Sequence, residues 1–444
     1  MRSTPADAPA GGTHPRLRAL DVRWMRRDDG RVAVLRDPFA LGGNALAVPA
    51  AVTAILSLLD GTRDRGAVLR DAATRFGLTL DAGQLETVLL TLDDAFFLEG
   101  PRAQLALAER LQTYRRAPQR PPAHVGAAYP ADPAALRQDL AAARRRSVEA
   151  GPGSSGMESR GMGPPPGDLA GMDGPVATDR QPAGILCPHI DFPRGGHVYA
   201  RVWDAAREGL SAAKRVVVLG TDHVGRPGAV TLTRQHYATP LGVLTTDAEA
   251  VDFLAAAIGN EAAFADELHH ATEHSVELAV VWLQEVLAGR SVPLVPILCG
   301  PLPEPAVGET EATGGPGPAF AAASGALADL PGAAETFLVV AGDLAHVGPA
   351  FGDPEALDGS GRRGLQEADR RILVRAAAGD ADGLLDALRG GEADLRYCGA
   401  APLYLALRAM APVRGHLCGY DQCPADEDGG SLVTVAGMVF VPRQ

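Results

Sequence analysis

The sequence predicts an α/β protein in which helices flank a central, mostly buried β-sheet. From residue 184 onward, short apolar runs alternate with stretches whose apolar residues recur at helical spacing. With 444 residues, 46% of them apolar, the chain can form such a core and a second domain. The strand candidates are 185–187, 216–219, 292–298, 337–340 and 432–440. The helix candidates are 198–209, 246–257, 275–288, 365–378, 380–388 and 402–410.

The composition argues against several classes of protein. The net charge is −13, from 41 basic and 54 acidic residues, which is unlike a nucleic-acid binder or a membrane-surface protein. The longest apolar runs, about a dozen residues, are too short to cross a bilayer. Residues 1–15 are polar and lack the apolar segment of a signal peptide, so none is expected. Five cysteines, an odd number in a long chain, favour a reducing cytoplasm over a disulfide framework.

Ahead of the α/β region, the sequence predicts a small winged-helix-like domain over residues 18–100. A strand at 32–35 is followed by three short helices and a closing strand at 96–100. The helices are predicted at 52–59, 65–76 and 82–94.

The remaining segments complete the predicted domain organisation. Residues 1–17 are expected to form a disordered tail, and residues 101–122 a helical linker. The α/β domain then covers 123–444. Flexible insertions are predicted within it at 147–182 and 302–330, where glycine and proline are dense.

Three predicted strands each run into a turn that carries a histidine. His189, His223 and His346 follow the strand candidates that begin at 185, 216 and 337. Because parallel strand ends meet at one edge of an open α/β sheet, these histidines are candidates for one metal site. Imidazole suits iron, copper and zinc. The alternative for each histidine taken singly is a structural role in a cap or on the surface.

A cysteine and a further histidine add to these candidates. Cys398 lies just before a predicted helix, whose N-terminus favours the metal-binding thiolate form. The alternative is an inert, buried cysteine. His274 opens the helix 275–288 and is a candidate acid or base, or else a cap or surface residue. Cys187 and Cys299 end apolar strands and are better explained as core.

Six motifs stand in one order along the second part of the chain. They are Cys187-Pro188-His189, Leu219-Gly220-Thr221-Asp222-His223, Glu273-His274-Ser275-Val276-Glu277, Val295-Pro296-Ile297-Leu298, Gly342-Asp343-Leu344-Ala345-His346 and Cys398-Gly399-Ala400-Ala401-Pro402. Together they resemble the Memo family, whose prokaryotic members are called AmmeMemoRadiSam system protein B. The resemblance covers about residues 120–444, and six motifs in one order make it specific.

This resemblance implies a fold similar to the class III extradiol dioxygenases of the LigB type. Carried over onto this sequence, it implies metal ligands at His189, His223 and Cys398. It matches three further residues to pocket positions with catalytic roles: His274, Asp343 and His346. It also implies an iron cofactor, with copper as the alternative, and a redox role. The implied partners are a radical-SAM protein and an AMMECR-type protein.

The chain departs from the family pattern at two carboxylates. Where the family has Pro-His-Ala-Gly-Tyr, this chain has Pro188-His189-Ile190-Asp191-Phe192. Where the family has Pro-Ser-His, it has Thr221-Asp222-His223. Asp222 therefore places a carboxylate beside a candidate ligand. There it would either change the charge around the ion or supply a fourth ligand.

Residues 20–100 show a weaker likeness, to the PqqD-like domains. A strand, Arg36-Asp37-Pro38, an apolar helix, Leu58-Leu59-Asp60-Gly61-Thr62 and a second helix follow in that family's order. PqqD-like domains capture peptides on a strand edge. The alternative is a helical accessory domain without a peptide partner.

Two functions are consistent with these patterns. The first is a metal-dependent redox enzyme in which His274 or His346 moves protons. The second is a binding protein whose pocket holds an unidentified small molecule or peptide, and whose N-terminal domain recruits a partner chain.

Overall fold

The computed structural model describes residues 11–27, 30–43, 45–149, 180–303, 316–390 and 395–443. The chain divides into two compact units, Met1–Arg116 and Ala117–Gln444. The predicted linker is therefore split, because the helix Pro101–Arg116 belongs to the first unit. Most of the insertion predicted at 147–182 lies outside the described residues, as does the predicted tail up to residue 10.

The first unit combines a three-stranded antiparallel sheet with helices. Its strands, in the order β1-β2-β3, are β1 (Asp21–Arg27), β2 (Gly30–Arg36) and β3 (Leu46–Pro49). Its helices are α1 (Ala50–Leu56), α2 (Arg65–Phe76), α3 (Ala82–Asp94) and α4 (Pro101–Arg116). The single strand predicted at 32–35 is the middle strand β2. The closing strand predicted at 96–100 is reduced to one bridge between Leu98 and Leu17, so the end of the predicted tail pairs with this unit.

In the second unit, strands alternate with helices, as the sequence predicts. The strands in its described part are β4 (Gly184–Cys187), β5 (Arg215–Thr221), β6 (Val230–Leu232), β7 (Tyr237–Thr239), β8 (Gly242–Leu244), β9 (Leu294–Cys299), β10 (Thr336–Ala341), β11 (His346–Val347), β12 (Val413–Pro424) and β13 (Leu432–Pro442). The helices there are α5 (Pro133–Glu149), α6 (Phe192–Ala205), α7 (Arg207–Ala212), α8 (Ala248–Ile258), α9 (Asn260–Ala263), α10 (Ser275–Leu287), α11 (Pro318–Ala328), α12 (Gly359–Ala378), α13 (Ala381–Arg389) and α14 (Ala400–Met410).

The main sheet has the strand order β11-β13-β4-β10-β5-β9-β6, with β12 paired to β13. Its centre, from β4 to β9, is parallel. Every residue of β4, β9 and β10 is buried, which explains their continuous apolar sequences. One face packs against α8, α11, α13 and α14, and the other packs against α5, α6 and α10. A mostly buried sheet flanked by helices confirms the predicted fold class.

The parallel register aligns the C-terminal ends of β4, β10 and β5. Ala341 lies opposite Cys187 on one side and opposite Gly220 on the other. The residues two positions beyond these aligned ends are His189, Asp343 and Asp222. The candidate residues that follow these strands therefore lie at one edge of the sheet.

Several segments differ from the sequence-based expectation, and three of them show why. Residues Pro318–Ala328 form α11 with Phe320 fully buried, so the insertion predicted at 302–330 is wrong for this part. The helix predicted at 198–209 begins earlier, at Phe192, because Asp191 caps it. Strand β12 was not predicted, because its glycines and charged residues interrupt the alternation of apolar and polar residues that indicates a strand. None of the helices in the described segments has the length and apolarity needed to span a membrane.

Candidate metal centre

Three histidine side chains converge beyond the C-terminal ends of β4 and β5. The ring centroids of His189, His223 and His274 lie 4.7 to 5.0 Å apart. Each ring offers one nitrogen, and these nitrogens lie within 4.8 Å of one another. In the part of the chain that the structure describes, this group of side chains has the spacing to hold a metal ion.

The ends of β4 and β10 fix the orientation of His189. Its backbone N–H donates to Asp343 Oδ1 at 2.8 Å, and its Nδ1 lies 3.1 Å from the carbonyl oxygen of Ala341. Because a carbonyl only accepts, Nδ1 carries the proton and Nε2 carries the lone pair that a metal binds. Burial lowers the pKa of His189 well below its usual range, so this ring is neutral at pH 7.

A buried glutamate, Glu273, holds the other two rings. The Nδ1 atoms of His223 and His274 each lie 3.0 Å from its carboxylate. Burial alone would raise the pKa of Glu273, but the charges and hydrogen bonds of the two histidines hold it well below its usual range. Burial would likewise lower the pKa of His223, but Glu273 raises it well above its usual value. In the metal-free protein, Glu273 is therefore an anion paired with the His223 cation.

The thiol of Cys398 joins this cluster. Its Sγ lies 3.1 Å from His189 Nε2, and it also forms a hydrogen bond with His223. Burial raises the pKa of Cys398, and the bond with His223 offsets this only in part. The expectation that the helix N-terminus favours the thiolate is therefore wrong for the metal-free protein. Three imidazoles and one thiol are donors that suit iron, copper or zinc.

Two glycines let Cys398 approach the end of β10. A Cβ on Gly342 would lie 2.5 Å from the Cα of Gly399, and a Cβ on Gly399 would lie 2.6 Å from the carbonyl oxygen of Asp343. The Gly399 N–H donates to that same carbonyl at 2.9 Å. Thr221 Oγ1 donates to the carbonyl of Cys398 at 2.9 Å. The cysteine is thereby tied to the ends of both β10 and β5.

His346 lies beside the cluster rather than in it. Its Nδ1 is 3.2 Å from the carbonyl oxygens of Leu344 and Arg396, so Nδ1 carries the proton. Burial and, to a lesser extent, the nearby His223 lower its pKa to about 4, so the ring is neutral at pH 7. It does not belong to the imidazole group that has metal-binding spacing. The strand-end expectation of His346 as a metal ligand is therefore not met.

Asp343 is a buried carboxylate between these groups. Its Oδ1 accepts from the backbone N–H groups of His189 and Ile190 at 2.8 and 3.2 Å. Burial nevertheless raises its pKa from 3.8 to about 6. A carboxyl group whose pKa rises on folding stabilises the fold below its unfolded pKa. That contribution is lost as the pH rises through the folded pKa.

This shift predicts a pH-dependent effect of Asp343→Asn. The amide keeps the oxygen acceptor and removes the charge, so the free energy of unfolding of the metal-free protein should rise by up to about 3 kcal/mol at pH 8. The gain should vanish near pH 4. Urea unfolding at both pH values measures it, with Asp382→Asn as the exposed control. An equal effect of Asp343→Asn at both pH values would contradict the burial argument.

Asp191 and Asp222, the two carboxylates at which this chain departs from the family pattern, are bound by other protein groups. Asp191 caps α6 and accepts from the backbone N–H and the Nε of Arg194 at 3.2 and 2.7 Å. Asp222 accepts from His269 Nδ1 at 2.8 Å and from the Val224 N–H at 3.3 Å. Asp222 therefore adds charge beside His223. Its alternative role as a fourth ligand finds no support within the described residues.

Sequence reasoning missed the residues that hold the start of α10 in place. Arg120 and Glu277 form an ion pair in which both side chains are fully buried. Arg120 also donates to the carbonyl oxygens of His270 and Glu273. Glu277 lies one turn after Glu273, a spacing that the sequence shows. No sequence pattern links Arg120 to these residues, because it lies more than 150 residues before Glu273 and Glu277 in the chain.

Fold and site together define an α/β protein with a cluster of histidines and one cysteine at the ends of its parallel strands. A family model described as Memo-like protein matches residues 120–439. The chain therefore belongs to the Memo family, which confirms the resemblance drawn from the six motifs.

Relatives in two other organisms support this placement. A MEMO1 family protein of Aquifex aeolicus is 24% identical over 432 residues, which cover 96% of this chain and 99% of the relative. A MEMO1 family protein of Methanopyrus kandleri is 27% identical over 329 residues, which cover 72% of this chain and 99% of the relative. The Aquifex relative thus aligns along nearly the whole chain, whereas the Methanopyrus relative is matched in full by a smaller part.

Proposed function

We propose that this Memo-family chain is a metal-dependent redox enzyme that uses non-haem iron, with copper as the alternative. The main support for this proposal is the fixed orientation of the His189 and His223 rings. The Nδ1 atoms of His189 and His223 are each held by an oxygen, so both rings present Nε2 beside the Cys398 thiol. Hydrogen-bonded Nδ1 atoms of this kind orient imidazoles that bind metals.

In this proposal His189, His223 and Cys398 hold the ion. Iron or copper, when bound, supplies one-electron redox chemistry, and nitrogen and sulfur donors suit both metals. Cys398 gives up its proton on binding, since its raised pKa keeps it a thiol in the free protein. His346 is neutral, and its Nδ1 is occupied, so it can take up a proton at Nε2. Burial raises the pKa of Asp343 to about 6 in the metal-free protein, which makes this carboxyl group the second candidate for proton transfer.

Metal analysis of purified protein tests this proposal. We expect about one equivalent of iron or copper in the wild-type protein and strongly reduced metal in His189→Ala and Cys398→Ser. Two variants on β12 serve as matched controls, His416→Ala for the imidazole and Cys418→Ser for the thiol. Both should keep wild-type metal content. Unchanged metal in both His189→Ala and Cys398→Ser would rule out the site.

The partners and location belong to the same proposal. The resemblance implies a radical-SAM protein and an AMMECR-type protein as partners, and co-purification of the three proteins tests this. A cytoplasmic location is supported by the five cysteines, all of which are free thiols. The negative net charge supports a partner other than nucleic acid.

A second function is supported by the first unit. Strand β1 is an outer strand of the β1-β2-β3 sheet, and its residues Val22 and Met25 are 48% and 51% exposed. An outer strand of this kind can pair with an extended peptide, as in the PqqD-like domains. In this proposal the chain is a non-catalytic binding protein that recruits a peptide or partner through β1. Retained peptide binding after deletion of residues 1–116 would contradict this role.

A further inference from the structure

One carboxylate arranges two imidazoles in the same way. Glu273 accepts from Nδ1 of His223 and from Nδ1 of His274, each at 3.0 Å. The two rings stack with an interplanar angle of 18° and centroids 4.7 Å apart. Because both Nδ1 atoms lie against the same carboxylate, Nε2 is the nitrogen of each ring that a metal could bind.

His274 and His223 also stand in the same relation to the third ring. The centroid of His189 lies 5.0 Å from the centroid of each of them. The side chains of His223 and His274 are 35% and 34% exposed, so neither is shielded more than the other. His223 differs from His274 in its hydrogen bond with Cys398, but the two rings share the same carboxylate, the same distance to His189 and the same exposure.

We propose that His274 is a fourth metal ligand, which Glu273 places alongside His223, rather than an acid–base group. This inference rests on the proposed function, since it concerns the same ion. The donor set is then His189, His223 and His274 through Nε2, together with Cys398 through sulfur. In metal-binding histidines the N–H of the second ring nitrogen characteristically donates a hydrogen bond to a carboxylate or carbonyl, and Nδ1 of each of the three rings lies against such an oxygen here.

If His274 binds the metal, the roles of the neighbouring residues change. A lone pair that binds a metal cannot also accept a proton, so His274 leaves the group of acid–base candidates. Proton transfer then falls to His346 and Asp343. Glu273 becomes a positioning residue that acts through two ligands at once, and its negative charge strengthens both as donors.

Cobalt(II) titration of the full-length chain tests the assignment, because cobalt reports its ligands in the visible spectrum. We expect His274→Ala and His274→Gln to lose at least about tenfold in cobalt affinity and to change the position and intensity of the d–d bands. Glu273→Gln should lose about 10- to 100-fold, since an uncharged amide cannot serve two Nδ1–H groups equally. His346→Ala, a neighbouring imidazole outside the set, should keep the affinity and the spectrum. Circular dichroism verifies that each variant is folded.

The outcomes separate this inference from the proposed function. Folded His274 variants with wild-type affinity and spectrum would overturn the assignment. If Cys398→Ser then still abolishes the sulfur-to-cobalt charge-transfer band, the proposed metal site stands without His274 as a ligand. A wild-type chain that binds neither cobalt nor iron would overturn the proposed function, and this inference with it.

Discussion

Replacing Arg120 by alanine is expected to lower the free energy of unfolding of the second unit by about 3 to 5 kcal/mol. Arg120 and Glu277 are both fully buried, so the substitution leaves a charged carboxylate without its cation in a region that water does not reach. It also removes the donors to the carbonyl oxygens of His270 and Glu273. Urea unfolding followed by tryptophan fluorescence measures the loss, in a Trp24→Phe background, so that Trp203 and Trp282 of the second unit report.

Two further variants make this result specific. Glu277→Gln keeps the shape of the side chain and leaves Arg120 with its carbonyl acceptors, so its effect should be smaller than that of Arg120→Ala. Arg408→Ala removes an exposed partner of Asp382 at 3.3 Å and should cost less than about 1 kcal/mol. If Arg120→Ala proves no more destabilising than Arg408→Ala, the buried pair does not stabilise this unit.

The metal site should weaken in the same Arg120 variant. The guanidinium binds the backbone of Glu273, whose carboxylate holds the rings of His223 and His274. The Memo-like region that the family model matches begins at this arginine. Its first residues therefore secure the loop that carries part of the candidate site.

The sheet and its site edge could be predicted because their determinants are local. The runs within β4, β5 and β10 are continuously apolar between their end residues, as is typical of buried parallel strands. Parallel pairing then aligns their ends, and each end carries its polar residues only two positions further on. The proximity of His189 and His223 could therefore be predicted from the sequence alone.

The roles of His274 and Glu273 could not be predicted in this way. They stand before α10, and their position depends on contacts far away in sequence. Ser275 Oγ donates to the carbonyl of Thr221 at 2.8 Å, and Gly220 leaves room for this serine beside β5. Nothing in the spacing of the motif shows that Glu273 binds two rings at once.

The ionisation of Cys398 and the role of Asp222 also could not be predicted from the sequence, for physical reasons. A helix start after Cys398 suggested an easily ionised thiol, yet burial has the larger effect on its pKa. Asp222 suggested a ligand because it adjoins His223 in sequence. Consecutive residues after a strand need not face the same way, and its carboxylate binds His269 instead.

Gly399→Ala is expected to weaken metal binding by about 10- to 100-fold, the range that follows the loss of groups supporting a metal ligand. The new Cβ would lie 2.6 Å from the carbonyl oxygen of Asp343 and 3.0 Å from the backbone of Gly342, so these segments must separate. Cys398 then moves away from His189 Nε2, which is now 3.1 Å from its sulfur. Cobalt affinity and the sulfur-to-cobalt band measure this displacement.

Gly364→Ala provides the matched control for that substitution. This glycine lies inside α12, and a Cβ there would meet no atom within 4 Å. Alanine should therefore stabilise the helix by about 0.5 to 1 kcal/mol and leave cobalt binding unchanged.

Gly342→Ala should reproduce the loss seen with Gly399→Ala, because its Cβ would lie 2.5 Å from Gly399 on the other side of the same contact. If both substitutions leave the sulfur-to-cobalt band intact, the close approach of these two backbones does not position the thiol.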